Sequence, residues 1–245
     1  MCFRKKAILM IHGFVGGIYD YDNLPTELEL IRKFDVFTFT LPAHEKVIVK
    51  DVKYTDWIQS AEEQIELLIK NNYKEIYVIG HSMGGVIATH LASKYKQVKK
   101  LVLAAPAFRY FYFKDGKVNI KGFNETLKNL PSMFKNMGTE KVLERITKTP
   151  ISTMLEFTKL VSNLENDLNN ITCPVLAIRG TEDKVVPEEG IELVANNIPT
   201  KTYIQYNIKN VTHDCFTKER NEEVKQIIIN FLKKKHHSKK EIINI

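Results

Sequence analysis

A serine hydroxyl becomes a nucleophile only when a base takes its proton and an acid orients that base. Gly80-His81-Ser82-Met83-Gly84-Gly85 supplies a serine suited to that chemistry. Glu75–Ile79 before it reads as a short buried strand, and Val86–Ala92 after it as a helix. Gly-x-Ser-x-Gly between strand and helix is a nucleophile elbow, a turn so tight that glycine is required two positions to either side of the serine. The base and acid are expected on loops that follow later strands. Gly180-Thr181-Glu182-Asp183 and Asn210-Val211-Thr212-His213-Asp214 are such loops, so Asp183 is read as the acid and His213 as the base. The chain order is Ser, Asp, His.

Other candidates compete for each role. Glu182 adjoins Asp183, but its longer side chain leaves the turn at a different angle, and Asp214 reads as a surface or capping residue. His12 reads as structural in a glycine-punctuated loop, His44 as a pocket-lining residue, and His81 as a brace of the elbow. His90 lies about two turns into the following helix and points away; His236 and His237 sit in the tail. Acyl transfer also requires donors for a developing oxyanion. From position alone, the backbone N–H groups of Met83, at the start of the elbow helix, and Phe14, in His12-Gly13-Phe14, are expected to supply them.

The elements that must position these groups alternate. Ala7–Ile11, Asp35–Leu41, Glu75–Ile79, Leu101–Ala104, Val175–Ile178 and Thr202–Tyr206 read as strands. Leu24–Lys33, with Asn23 as cap and Pro25 in the first turn, Thr55–Asn71, Glu188–Asn196 and Glu219–Lys235 read as helices. The expected fold class is α/β: a mostly parallel sheet of about six strands with helices on both faces. The alternation breaks between residues 107 and 170. There an aromatic cluster (Phe108, Tyr110, Phe111, Tyr112, Phe113) precedes helical patterns at Asn124–Met137, Glu140–Thr147 and Ser152–Leu168. Residues 1–106 and 171–245 are therefore expected to form the core, and 107–170 a helical cap at the carboxyl ends of the strands, where such sheets bind ligands. The aromatics either pack the cap on the sheet or form the wall of an acyl or alcohol pocket, with His44, Phe108, Tyr110 and Phe111 as the expected substrate-binding residues.

At 245 residues and 44% hydrophobic content the chain can bury a sizeable core. Its three cysteines (Cys2, Cys173, Cys215) are too scattered for a disulfide framework, which suits a reducing compartment, and the expected location is cytoplasmic. Arg4-Lys5-Lys6 before Ala7–Ile11 imitates a signal peptide, but five apolar residues are too few for its hydrophobic region. No apolar stretch reaches membrane-spanning length. Part of the +7 net charge lies in Lys233, Lys234, Lys235, Lys239 and Lys240, read as a solvated, frayed helix end with a weak attraction for anionic surfaces. No nucleic-acid motif accompanies the charge.

Taken together, His12-Gly13-Phe14, Gly80-His81-Ser82-Met83-Gly84, Asp183 and His213 resemble the α/β-hydrolase superfamily, and within it the small bacterial carboxylesterases related to monoacylglycerol lipases. The likeness runs over nearly the whole chain and includes Thr172-Cys173-Pro174-Val175 through Gly180. It implies hydrolysis of carboxylic esters, with short- to medium-chain acyl groups or monoglycerides as substrates, and no metal or cofactor. It also implies Ser82, Asp183 and His213 as triad, with Phe14 and Met83 at the oxyanion positions. The chain departs from the pattern twice: Ala43-His44-Glu45 stands where many relatives have Gly-His-Gly, and the sequence begins almost at the first core strand. Thioesterase, amidase and carbon–carbon bond hydrolase share the triad, and a non-catalytic binder on the same scaffold is a further alternative. Oligomeric state is not legible.

Overall fold

The structure is a computed structural model that describes residues 6–45, 52–110, 113–114, 117–118, 149–216 and 220–245. Its strands in chain order are β1 (Lys6–Ile11), β2 (Phe34–Thr38), β3 (Ile76–His81), β4 (Val98–Ala104), β5 (Phe113–Lys114), β6 (Lys117–Val118), β7 (Val175–Gly180), β8 (Thr202–Ile208) and β9 (Lys239–Asn244). β5 and β6 pair only with each other; the other seven form one sheet in the order β2-β1-β3-β4-β7-β8-β9. Every pairing in that sheet is parallel. A parallel sheet needs cover on both faces, which is why its central strands are nearly continuous apolar runs.

Residues of β1 show how the two faces are filled. Ala7, Leu9 and Ile11 enter one cluster with Trp57, Ile65, Val86, Leu91, Leu160 and Val194. Ile8 and Met10 enter the other with Leu24, Leu28, Ile228 and Leu232. The helices that contribute are α1 (Leu24–Leu30), α2 (Tyr54–Lys70), α3 (Met83–Lys94), α4 (Ile151–Leu164), α5 (Glu188–Asn197) and α6 (Asn221–Lys233). Each Leu, Ile or Val fully buried here stabilises the fold by about 1.5–3 kcal/mol, so the sheet is a stiff platform for the loops at its carboxyl edge.

Several expected boundaries move for physical reasons. Helix α1 stops at Leu30 because Arg32 turns left-handed at φ 58°. Strand β2 ends at Thr38, opposite Met10, its last partner in the register. Helix α4 ends at Leu164 and tightens into a 3-10 turn over Glu165–Asn170. The helical patterns expected at Asn124–Met137 and Glu140–Thr147 lie outside the described residues.

The largest correction concerns the tail, and with it the strand count of seven. Lys239 and Lys240 do not prolong a frayed helix: Lys239–Asn244 adds a seventh parallel strand, paired from Thr202↔Lys239 to Asn207↔Asn244. The helix ends because Lys100 Nζ donates to the carbonyls of Phe231 (2.9 Å), Leu232 (2.8 Å) and Lys234 (2.6 Å), taking groups that a further turn would need. Alternate exposure along β9 and lysines on its outer edge are what an edge strand tolerates.

Candidate active site

The elbow is built by backbone crowding. Ser82 sits at φ 53°, ψ −119°, between the end of β3 and the first residue of α3. Such a conformation costs of order 1–3 kcal/mol in a residue with a side chain and persists only where its surroundings enforce it. They do so here: a Cβ on Gly80 would lie 2.2 Å from the Gly84 carbonyl oxygen, and one on Gly84 would lie 2.0 Å from that of Ile11. The Ser82 amide donates to Ala104 O at 2.9 Å, tying the elbow to β4.

The residues expected as base and acid, His213 and Asp183, arrive on the loops after β8 and β7, which are laced together. Glu182 N donates to Val211 O (2.9 Å) and Thr181 N to Ile208 O (3.0 Å). No side chain fits at Gly180, where a Cβ would meet Val211 O at 2.1 Å. The result brings Ser82, His213 and Asp183 into line: His213 Nε2 is 2.9 Å from Ser82 Oγ, and His213 Nδ1 is 2.8 Å from Asp183 Oδ2. The other oxygen of Asp183 accepts the amides of Val185 and Val186, both at 2.8 Å. Glu182 is exposed and outside this line.

Electrostatics favour a charged acid beside a base that can hold a proton. Burial pushes the Asp183 carboxyl up, but His213 and the two amides outweigh it and hold the group below the usual carboxylate range. Burial likewise disfavours imidazolium at His213. The charge and hydrogen bond of Asp183, helped by Asp214 and Asp20, prevail and raise the ring above an ordinary histidine.

The loop carrying Phe14 is fixed by two histidines. His12 Nε2 accepts the Leu41 amide at 3.0 Å, and its Nδ1 donates to Gly13 O at 2.9 Å. Buried and near His44, His12 is pushed down to about 4 and stays neutral. His44 Nε2 accepts the Val15 amide at 3.2 Å, while its Nδ1 donates to Pro42 O at 3.0 Å. Both of its ring nitrogens are thus used to hold the main chain. Among the described residues, the Phe14 and Met83 amides have no internal acceptor. Met83 also opens α3, where the helix dipole favours negative charge.

Of the aromatics expected in a pocket, Phe108 and Tyr110 are fully buried, and Phe111 lies outside the described residues. Tyr110 stacks on Phe157 (centroids 4.8 Å apart), Phe157 on Phe14 (5.2 Å), and Phe14 meets Trp57 edge-on (5.9 Å). Phe157 and Trp57 escaped the sequence reading because each sits within a helical pattern and carries no motif. Among the described residues no cluster of His, Cys, Asp and Glu has a metal-binding arrangement, and no helix is long and apolar enough to cross a membrane.

Known proteins resemble this chain in sequence and in fold. The sequence profile of the hydrolase family described as serine aminopeptidase, S33 matches residues 4–221. A thermostable monoacylglycerol lipase from Bacillus sp. (strain H-257) is 25% identical over 210 residues, covering 84% of this chain and 82% of that protein. A carboxylesterase from Bacillus subtilis (strain 168) is 24% identical over 203 residues, covering 80% and 79%. Among solved structures, the monoacylglycerol lipase of Paleococcus ferrophilus superposes with a TM-score of 0.69 at 16% identity, over 94% of this chain and 96% of that one.

Proposed function

The chain belongs to the serine aminopeptidase S33 family of α/β-hydrolases, and from that premise we propose that it is a serine carboxylesterase. It acts through an acyl-enzyme on Ser82, on short- to medium-chain acyl esters or monoacylglycerols. The observation that carries this reading is the unbroken line from Ser82 Oγ through His213 to Asp183, with contacts of 2.9 and 2.8 Å.

Ser82 Oγ attacks the ester carbonyl carbon while its proton passes to His213 Nε2. The charge that develops on the carbonyl oxygen is met by the amides of Phe14 and Met83. Collapse of the tetrahedral adduct breaks the bond to the alcohol, which leaves with the proton from His213 Nε2. Water then repeats the sequence on the acyl-enzyme and releases the acid. Each oxyanion donor contributes about 3–4 kcal/mol of transition-state stabilisation. Asp183 keeps the proton of His213 on Nδ1, leaving Nε2 free to accept.

Ester substrates are favoured by the relatives' activities and by the aromatic row Tyr110, Phe157, Phe14 and Trp57, which suits an apolar acyl or alcohol group. Residues 107–170 are inferred to form a cap. The two ends of that segment are clamped by a forked ion pair, with Arg109 Nη1 and Nη2 at 2.6 and 3.0 Å from Glu165. Within it, Phe157 reaches the oxyanion loop.

The test is turnover of p-nitrophenyl esters from acetate to palmitate, with matched thioester and amide substrates, on wild type and Ser82→Ala. Activity is expected to peak at short or medium chains and to fall at least about 10⁴-fold in the variant. A fluorophosphonate probe is expected to label wild type and not Ser82→Ala. Retained ester turnover in Ser82→Ala would falsify the assignment, and faster thioester or amide turnover would change the substrate class.

A further inference from the structure

His81 stands between the oxyanion loop and the base. Its Nε2 donates to the backbone carbonyl of His213 at 3.0 Å. Its ring is wedged between Tyr21 (centroids 6.5 Å) and Phe216 (5.8 Å), both edge-on. Tyr21 is anchored in turn, its hydroxyl donating to Ile11 O at 2.6 Å. With the proton on Nε2, His81 Nδ1 is an acceptor, and it is buried with no hydrogen-bond partner. The nearest acid is Asp20, whose Oδ2 lies 4.0 Å away and whose side chain is 16% exposed. Asp20 lies in the 3-10 turn Ile18–Tyr21 that follows the oxyanion loop: the Gly13 and Gly17 amides point at its carboxyl group, and a Cβ on Gly16 would overlap its Oδ2 at 2.0 Å.

Resting on the triad reading above, we propose that Asp20 and His81 form a positioning pair behind the triad, in which a protonated Asp20 donates to His81 Nδ1 and His81 Nε2 holds His213 in place. Gly13, Asp20, His81 and the His213 carbonyl then form one chain of contacts. It joins the loop that carries the Phe14 amide to the residue that carries the base. Burial is the main force on both groups, pushing Asp20 up to about 7 and His81 down to about 4. Both directions favour a proton on the carboxyl group over one on His81 Nδ1. The charged or titratable groups facing the pair are His213 and Asp214 from the loop after β8, with Asp183 behind His213, together with Tyr21 beside both groups and His12 on the side of His81. A 4.0 Å gap is no hydrogen bond as it stands; the pair requires the Asp20 side chain to turn toward the buried lone pair.

The proposal separates three substitutions. Asp20→Ala leaves His81 Nδ1 with no donor, and His81→Leu removes the hold on His213. Each is expected to lower kcat about 10–100-fold with KM little changed, because small displacements of a base cost that much. Asp20→Asn places an amide N–H where the carboxyl O–H was, and is expected to regain most of the kcat lost in Asp20→Ala. A protonated Asp20 carries no charge, whereas an ionised one would help keep His213 protonated. Asp20→Asn should therefore leave the acid limb of kcat/KM where it lies in wild type, and a shift to lower pH would show that the carboxyl group is charged. Circular dichroism and fluorophosphonate labelling of each variant check fold and nucleophile. If Asp20→Ala fails to fold, the limb in Asp20→Asn carries the test.

An Asp20→Ala enzyme within about threefold of wild type in kcat, an acid limb moved to lower pH in Asp20→Asn, or an Asn variant as slow as the Ala one would overturn the pair. Absence of ester turnover and labelling in wild type would instead sink the triad reading on which it rests.

Discussion

His213 and His90 are both largely buried histidines beside carboxylates, and both hold their proton more tightly than an ordinary histidine. They differ in what the second ring nitrogen meets. In His213 one nitrogen faces Asp183 and the other a hydroxyl, that of Ser82. In His90 both face acids: Nδ1 is 2.7 Å from Asp167 and Nε2 is 2.8 Å from Glu62. Between an acid and a hydroxyl, imidazole can take a proton and return it. Between two acids it can only keep one, so His90 is a cationic clamp joining α2, α3 and the 3-10 turn after α4. The difference teaches that a raised pKa alone does not identify a base; its second neighbour does.

The sharpest way to break this comparison is at Asp183. Asp183→Asn is expected to lower kcat about 10³–10⁴-fold, because an amide N–H facing Nδ1 favours the wrong tautomer. A base must be neutral to act, so the acid limb of kcat/KM lies above the ordinary histidine value of 6.5 in wild type. Loss of the Asp183 charge should move it down, and a pH–rate profile reads both effects.

His90→Gln should do the opposite: ester turnover within about twofold of wild type, with stability lower by about 1–2 kcal/mol. Because the folded pKa of His90 is raised, its contribution is complete below about pH 6.5 and fades as pH rises through the folded value. The gap in melting temperature between wild type and His90→Gln should accordingly be widest in acid and shrink toward alkaline pH. A comparable loss of activity in Asp183→Asn and His90→Gln would erase the distinction. The smallest effect is expected at Lys94, half exposed and paired with Glu62 at the rim of the clamp. Lys94→Ala should change stability by no more than about 0.5 kcal/mol, read by chemical denaturation.

The site was legible where chemistry and local geometry coincide. Ser82 announced itself through glycines that only a crowded turn requires, and Asp183 and His213 through loops that follow strands. The Phe14 and Met83 positions followed from the same layout. His44 was expected to line a pocket, yet both of its nitrogens grip the main chain. That role depends on the Val15 amide, 29 positions away in sequence. Phe157 and Trp57 were invisible for a related reason, since an aromatic on the inner face of a helix looks the same whether it fills a core or walls a site. The lysines of the tail were assigned to a frayed helix by composition. The Ile242-Ile243 pair was a faint signal for the edge strand that Lys239 and Lys240 in fact open.

By itself the sequence determined the alternation of strands and helices, the elbow and the chain order of Ser82, Asp183 and His213. Each depends on hydrophobic periodicity or turn stereochemistry acting over a few residues. Only the tertiary structure decided that His81 grips the carbonyl of a residue 132 positions away, that His90 lies between acids on two other elements, and that the tail joins the sheet. Those contacts are set by the register and packing of distant segments, and no local pattern encodes what a side chain meets once the sheet has closed around it.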